Sequence, residues 1–329
     1  MAKLRLHIAN STSKHPVYHI TSERWAAAAA RHPDLASALD VSMSWDGAGL
    51  DEALASADVG IGVPADRSRL AERAPRMRWL HHTSAGVDAL LPFDWLPPAL
   101  VLTNNRGAHG RKAQQYMRMA YTALNVRLPR MIDNQAARRW ERLFSPSLEG
   151  QTALVIGLGD LGEAAARAAR QLGMKVIGVR RHAKPCEHAD RVHTFNELDE
   201  LLPSADYVAI AVPLTAETRH LVDARRIGLM KPTAGLINIA RAPVVDYDAL
   251  RAALREGRLS GAVLDVVEPE PLPPESPLWD TPNLIITPHV SCDDSEDYVA
   301  ISLDLWFANF ARFLRGDALE ARVDAKLGY

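Results

Sequence analysis

The chain has 329 residues, enough to bury a large core and to form two domains. Its 38 basic and 40 acidic side chains nearly balance, which points away from nucleic-acid and membrane surfaces, and no apolar run reaches the length of a membrane span. The two cysteines, Cys186 and Cys292, stand far apart without metal or redox spacing and read as incidental thiols of a reducing compartment.

The first residues, Met1 to Ile8, lack the apolar segment of a secretory signal, and Leu4 to Ile8 read as a β-strand, so a cytoplasmic protein is expected. Thr21 to Arg24 supply a polar N-terminus for a helix around Glu23 to Ala30. An apolar strand near Val59 to Val63 and a helix around Arg67 to Arg73 follow, making residues 1–104 a small α/β domain. A long helical stretch covers Gln114 to Leu128. From Gln151 the strand–helix alternation repeats through Tyr207 to Val212, Gly235 to Ile239, Ala262 to Leu264 and Leu284 to Ile286, which predicts a doubly wound parallel sheet over residues 105–289. In Ser295 to Leu314, apolar residues at Val299, Leu303, Trp306, Phe310 and Phe313 form a helical stripe. Residues 290–329 then either return to the first domain, leaving the second inserted into it, or cap the second domain.

The strand Thr152 to Ile156 runs into Gly157-Leu158-Gly159-Asp160-Leu161-Gly162, a G-x-G-x-x-G turn before an alanine-rich helix, Glu163 to Leu172. Gly157 suits the tight turn, Gly159 the close approach of a pyrophosphate and Gly162 the packing of helix on strand, with the helix N-terminus turned to the phosphates. The strand Lys175 to Val179 completes β-α-β, and at its end a carboxylate would bind the ribose hydroxyls of NAD. Arg180 stands there instead, with Arg181, His182 and Lys184 nearby, and a guanidinium suits a 2′-phosphate. The expected cofactor is NADP(H), with NAD(H) possible. A solvated basic turn is the plainer alternative.

Polar groups cluster after the later strands, in Asn238-Ile239-Ala240-Arg241, in Leu264 to Pro271, and in Thr287-Pro288-His289-Val290. Ligands collect at the carboxyl ends of strands in such a sheet. Arg241 there could hold a substrate carboxylate and polarise the neighbouring carbonyl, and His289 could exchange a proton with the carbonyl oxygen. Glu270 beside the imidazole would favour its charged form and fix its orientation, with Glu268 the rival for that place.

These segments resemble the D-isomer-specific 2-hydroxyacid dehydrogenase family, in its glyoxylate/hydroxypyruvate reductase-like branch. Met230 to Ala234, Asn238 to Arg241, Val245-Asp246, Ala249-Leu250, Gly261 to Val266, Glu270 to Pro273, Pro277 to Trp279 and Thr287 to His289 stand in the family's order. The resemblance implies two Rossmann-like or flavodoxin-like domains, with the cofactor domain inserted into the substrate domain. It places the catalytic groups on Arg241, Glu270 and His289. It places the substrate carboxylate at the backbone of Ser84, Ala85 and Gly86, and the nicotinamide ribose at the loop of Val212, Pro213 and Thr215. Ile239, Ala240 and Asp265 fall near the nicotinamide. A homodimer through the cofactor domains is also implied, and no metal.

His81, His82 and His109 could set specificity, although solvated histidines are the simpler expectation; Trp79, Trp95 and Trp279 read as core or subunit contacts. Two departures stand out. Ala242 follows Arg241 where the family has glycine, which would displace the loop if positive φ were needed there. Gln114-Gln115 replace Ala-Glu, exchanging an ion pair for a neutral hydrogen bond. The leading reading is an NADPH-dependent reductase of a small 2-oxo acid. The alternatives are a phosphoglycerate-type dehydrogenase and a dinucleotide-sensing, corepressor-like binding protein; a formate-type enzyme would pair its histidine with glutamine.

Overall fold

A computed structural model describes residues 3–329; Met1 and Ala2, part of the N-terminal reading, lie outside the described residues. Two compact units emerge, one running to Ala108 and resuming at Asp294–Tyr329, the other being His109–Asp293.

The first unit opens with β1 (Leu4–Asn10), α1 (Ser22–Arg31), α2 (Pro33–Ser37), β2 (Leu39–Trp45), α3 (Leu50–Ser56), β3 (Val59–Ile61), α4 (Leu70–Arg73), β4 (Trp79–His81) and β5 (Val101–Thr103). Thr21 caps α1 by accepting a hydrogen bond from the Arg24 amide, with Glu23 in the first turn. The five strands are parallel in the order β2-β1-β3-β4-β5, the flavodoxin-like winding. The helix expected at Arg67 to Arg73 is shortened to α4, because Arg69 adopts φ +50°. Strands β2, β4 and β5 were not foreseen.

The second unit contains α5 (Gly110–Asn125), α6 (Leu128–Ala136), β6 (Thr152–Ile156), α7 (Asp160–Gln171), β7 (Lys175–Val179), β8 (Arg191–His193), α8 (Leu198–Leu201), β9 (Tyr207–Ile210), α9 (Ala224–Leu229), β10 (Gly235–Asn238), α10 (Tyr247–Arg255), β11 (Gly261–Leu264) and β12 (Leu284–Ile286). Arg127, at φ +59°, breaks the stretch read as one helix into α5 and α6. The parallel order β12-β11-β10-β9-β6-β7-β8 is the dinucleotide-binding arrangement with one strand added at an edge. Successive side chains of β6 serve opposite faces: Leu154 and Ile156 join one buried cluster, Ala153 and Val155 another formed with α5 and α7. Both faces are covered, which is why these strands are continuous apolar runs.

The chain ends in α11 (Tyr298–Arg315), stopped at Gly316 with φ +76°. Val299, Leu303, Trp306 and Phe310 of the predicted stripe join Leu6, Ile8, Ile61 and Trp79 in one core, so the helix belongs to the first unit and the alternative of a cap on the second is set aside. Trp306 stacks on Trp79 at 5.1 Å between ring centroids.

The units divide four residues beyond both expected boundaries, after Ala108 rather than 104 and after Asp293 rather than 289. Backbone and side-chain hydrogen bonds explain both shifts. Asn105 donates from its amide to the Ser84 carbonyl and from its side chain to Tyr298 and Ser302, holding that segment to the first unit. Val290 and Ser291 donate their amides to the Asp265 carboxylate, holding that segment to the second.

Candidate active site

The parallel register aligns Val179, Ile156, Ile210, Asn238, Leu264 and Ile286 in a single row across six strands. The residues that follow these strands therefore gather along one edge of the sheet: Arg180, Gly157, Val212, Ile239, Asp265 and Thr287. Sequence-distant candidates are neighbours here because the strands run parallel and end level.

Beside the reversal of strand order at β6 and β9, the glycine turn has two kinds of constraint. Gly157 has φ +94°, and a Cβ there would stand 2.6 Å from the Ala211 carbonyl oxygen; a Cβ on Gly162 would stand 1.7 Å from the Gly157 oxygen. These two glycines are required by the protein's own backbone. A Cβ on Gly159 would meet nothing within 4 Å, so its glycine keeps open space above the start of α7. No side chain caps α7, and its first amides are left to an external anion. This cradle fits a pyrophosphate. Leu158 is buried beneath Gly178, leaving only its backbone to meet a ligand, and Leu161 packs against the α5–α7 cluster. Asp160 lies against Gly110 at the start of α5.

Arg180 is half-buried just past β7, its amide bonded to the His193 carbonyl. Arg181 is exposed and reaches Glu217 at 3.2 Å, a surface pair of small energetic weight. In the loop after β9, Thr218 donates to the Pro213 carbonyl at 2.6 Å and accepts from the Thr215 amide at 2.8 Å, which fixes Val212 to Thr215.

Arg241 is placed by Asn238, which is fully buried. The Asn238 side chain accepts from the Ala240 amide and donates to the Arg241 carbonyl and to Tyr247 Oη, while Tyr247 in turn donates to the Val266 carbonyl. Burial pushes the Tyr247 and Tyr116 hydroxyls well above the ordinary phenol range, which keeps them neutral donors. Arg241 Nη1 donates to the Ala240 carbonyl at 2.7 Å. Ala242 begins a short 3₁₀ turn without positive φ, so its methyl group brings no backbone strain.

His289 Nδ1 lies 2.8 Å from Glu270 Oε2, whose other oxygen accepts from the Val267 amide at 3.2 Å. Geometry thus selects Glu270 over Glu268. Both side chains are about two-fifths exposed, as groups that meet a diffusing ligand must be. His289 adopts φ +55°, a conformation that costs a non-glycine residue about 1–2 kcal/mol. Asp265 holds it there: its carbonyl accepts from the His289 amide, and its buried carboxylate accepts from Thr287 Oγ1 and from the amides of Val290 and Ser291. The carboxylate of Asp265 is therefore engaged in shaping the histidine loop. Thr287 is bonded in turn to Tyr116 Oη of α5 at 2.6 Å. The sequence does not single out Tyr116, Tyr247 and Thr287 as positioning residues, because a hydroxyl carries no local signal of its distant partner.

In the first unit, the loop after β4 is pinned through three consecutive carbonyls: Thr83 by Tyr298 Oη, Ser84 by the Asn105 amide and Ala85 by Asn104 Nδ2. Among the described residues nothing accepts from the amides of Ala85 and Gly86, which suits an anionic ligand.

The three histidines differ from the solvated residues expected. His81 is buried in β4 against Thr103, and desolvation pushes its imidazole down to about 3. His82 is half-buried and pushed down to about 4, chiefly by desolvation. His109 is buried, 3.6 Å from Asp293. Trp79 is core, Trp95 donates to the Leu90 carbonyl and Trp279 is exposed. Gln114, in the position of the family's alanine, donates to Gln171 Oε1 at 2.8 Å; the neutral bond expected in place of an ion pair concerns Gln115. Cys292, read as incidental, lies beside His109 and Asp293.

A pyrophosphate cradle at the strand-order reversal and a histidine–carboxylate pair along the same sheet edge define a nicotinamide-dinucleotide-dependent oxidoreductase. Residues 119–291 match the model of the D-isomer specific 2-hydroxyacid dehydrogenase NAD binding domain. A glyoxylate reductase from Thermococcus gammatolerans is 35% identical over 231 residues, 67% of this chain and 68% of that protein. A D-isomer specific 2-hydroxyacid dehydrogenase from Xanthobacter autotrophicus Py2, solved with NADPH and MES, superposes with TM-score 0.84 at 29% identity over all of both chains. An NADPH-dependent glyoxylate/hydroxypyruvate reductase from Sinorhizobium meliloti, solved with NADP and sulfate, gives 0.81 at 28% identity, covering 99% of this chain and 100% of that one. The chain belongs to the D-isomer specific 2-hydroxyacid dehydrogenase family, and it is an NAD(P)-dependent oxidoreductase. No helix among the described residues is long and apolar enough to cross a membrane.

Proposed function

We propose that the protein is an NADPH-preferring reductase of small 2-oxo acids, with glyoxylate and hydroxypyruvate the first candidates, acting in the cytoplasm. The observation that carries the reading is the His289–Glu270 pair on the sheet edge that also bears the glycine turn. The cofactor preference rests on Arg180 at the end of β7, where a carboxylate would select NAD. The Xanthobacter autotrophicus dehydrogenase was solved with NADPH and the Sinorhizobium meliloti reductase with NADP, which supports the same preference.

When bound, the nicotinamide supplies the hydride that reaches the carbonyl carbon. Arg241 holds the substrate carboxylate in a forked, charge-assisted pair and sets the carbonyl oxygen within reach of the imidazole. His289 Nε2 gives that oxygen its proton as the C–H bond forms, so the product is the neutral alcohol. Glu270 accepts from Nδ1, fixing both ring orientation and tautomer. In the first unit, the Ala85 and Gly86 amides are the donors we assign to a carboxylate. Oxidation of the hydroxy acid runs the same transfers backward.

We further infer a homodimer formed through the second unit, where Trp140 is 93% exposed and Phe144 79% in the segment after α6. Light scattering of the purified protein reads its mass directly.

The test of function is to follow NADPH and NADH absorbance in parallel with glyoxylate, hydroxypyruvate, pyruvate and phenylpyruvate. Faster oxidation of NADPH with glyoxylate or hydroxypyruvate is expected. Tight NADPH binding without turnover on the whole panel overturns the proposal.

A further inference from the structure

We propose that His109, Cys292 and Asp293 form a binding site for a thiophilic divalent cation of the Zn²⁺ class. The three residues offer an imidazole nitrogen, a thiol sulfur and a carboxylate oxygen, all within 4.8 Å of one another. His109 Nε2 lies 3.6 Å from Asp293 Oδ1, and Cys292 Sγ lies 4.0 Å from the same oxygen.

Those separations can be judged against the ion. Tetrahedral zinc, with bonds of about 2.0–2.3 Å, sets its ligand atoms roughly 3.3–3.8 Å apart. One edge of that triangle is therefore in place, a second is within a few tenths of an ångström, and the third closes by about 1 Å at most. Half-buried Cys292 can supply that movement by rotating its side chain.

The donor set also selects the metal. A single oxygen ligand excludes the oxygen-rich shells of Ca²⁺ and Mg²⁺, whereas sulfur and imidazole suit Zn²⁺ and its neighbours. On binding, the thiol proton leaves to solvent and the S–metal bond forms, so thiolate and carboxylate together balance the dication, with a fourth position left for water. His109 is 5% exposed and already oriented by its surroundings, which lowers the ordering cost of one ligand.

His109 and Asp293 are the first and last residues of the second unit. An ion held here joins the two ends of that unit, a cross-link that no short sequence spacing reveals because 182 residues separate the histidine from the cysteine at 109 and 292. The site uses none of Arg241, Glu270 or His289 and stands independently of the reductase reading.

The experiment uses the full chain, stripped of metal by a chelator and titrated with Co²⁺, followed by the thiolate-to-cobalt charge-transfer band in the near ultraviolet. One equivalent should raise the band, and Zn²⁺ should abolish it. Cys292→Ser should remove the band and weaken Zn²⁺ binding at least about tenfold, and His109→Gln should weaken it comparably, while Cys186→Ser should leave both unchanged. In the unmodified protein, Zn²⁺ should slow alkylation of Cys292 but not of Cys186, a measurement that needs no variant to fold. Absence of the band, its survival in Cys292→Ser, its loss in Cys186→Ser, or alkylation of Cys292 indifferent to Zn²⁺ overturns the site.

Discussion

His289 receives its position from two sides: Glu270 Oε2 lies 2.8 Å from its ring, and its backbone is held at φ +55° by a bond to the Asp265 carbonyl. Ring and main chain are thus fixed by different segments. His289→Gln should lower kcat roughly 10²–10⁴-fold, the range of a lost general acid, with NADPH affinity changed less than about twofold. Glu270→Gln should cost less, because an amide oxygen still accepts from Nδ1. Steady-state rates beside fluorescence titrations of NADPH decide it; turnover unchanged in His289→Gln would remove the histidine from the chemistry.

The glycine turn yields a contrast between two alanines. Gly162→Ala would drive its methyl onto the Gly157 carbonyl oxygen, so the variant should unfold or melt far below the unmodified protein. Gly159→Ala meets open space and should keep its melting temperature within a few degrees while losing at least about tenfold in NADPH affinity. Equal loss of stability in both variants, or undiminished affinity in Gly159→Ala, contradicts the assignment of that space to a pyrophosphate.

Selectivity rests on Arg180. A charge-assisted hydrogen bond contributes about 1.5–3 kcal/mol, so Arg180→Asp should reduce the NADPH-to-NADH ratio of kcat/KM roughly 10–100-fold. The check is that ratio measured with one substrate at fixed ionic strength. A ratio left where it was would assign the 2′-phosphate to other residues.

Acid stability should depend on the buried imidazoles. His81 is held neutral in the fold, pushed down from 6.5 to about 3 by desolvation, and His82 shifts the same way. An unfolded chain therefore binds more protons than the folded one between these values. Their contribution is complete above about pH 6.5 and is lost as pH falls toward 4 and below, at about 1.4 kcal/mol per pH unit for a full proton. Melting temperatures from pH 7 to pH 4 should fall less steeply for His81→Asn than for the unmodified chain. Parallel profiles would mean that other groups govern the acid limit.

Much of the fold is legible in the sequence, and what is not has physical causes. The central strands of the second unit are buried on both faces, so Tyr207 to Ile210 and Gly235 to Asn238 appear as apolar runs with visible ends. Strand β2 alternates Leu39, Val41, Met43 and Trp45 with polar residues as an edge strand does, a signal that a search for apolar runs passes over. Strands β4, β5 and β8 have three residues each, too few for a period to show. Arg241, Glu270 and His289 stand out in the sequence as candidates because each follows a strand or a motif. Position in the motif already favours Glu270 over Glu268, whereas the clamp that Asp265 places on the histidine loop depends on backbone direction and leaves no mark in the sequence.

The core that joins Trp79 to Trp306 also sets an order on synthesis. A ribosome delivers every residue of the second unit before the last helix of the first. Residues 109–293 can reach their native contacts while β1, β3 and β4 still lack Trp306, Phe307 and Phe310 to cover them. Until Phe310 clears the exit tunnel, the nascent amino-terminal unit lacks the aromatic side chains that complete its core, and the apolar residues they cover stay open to water.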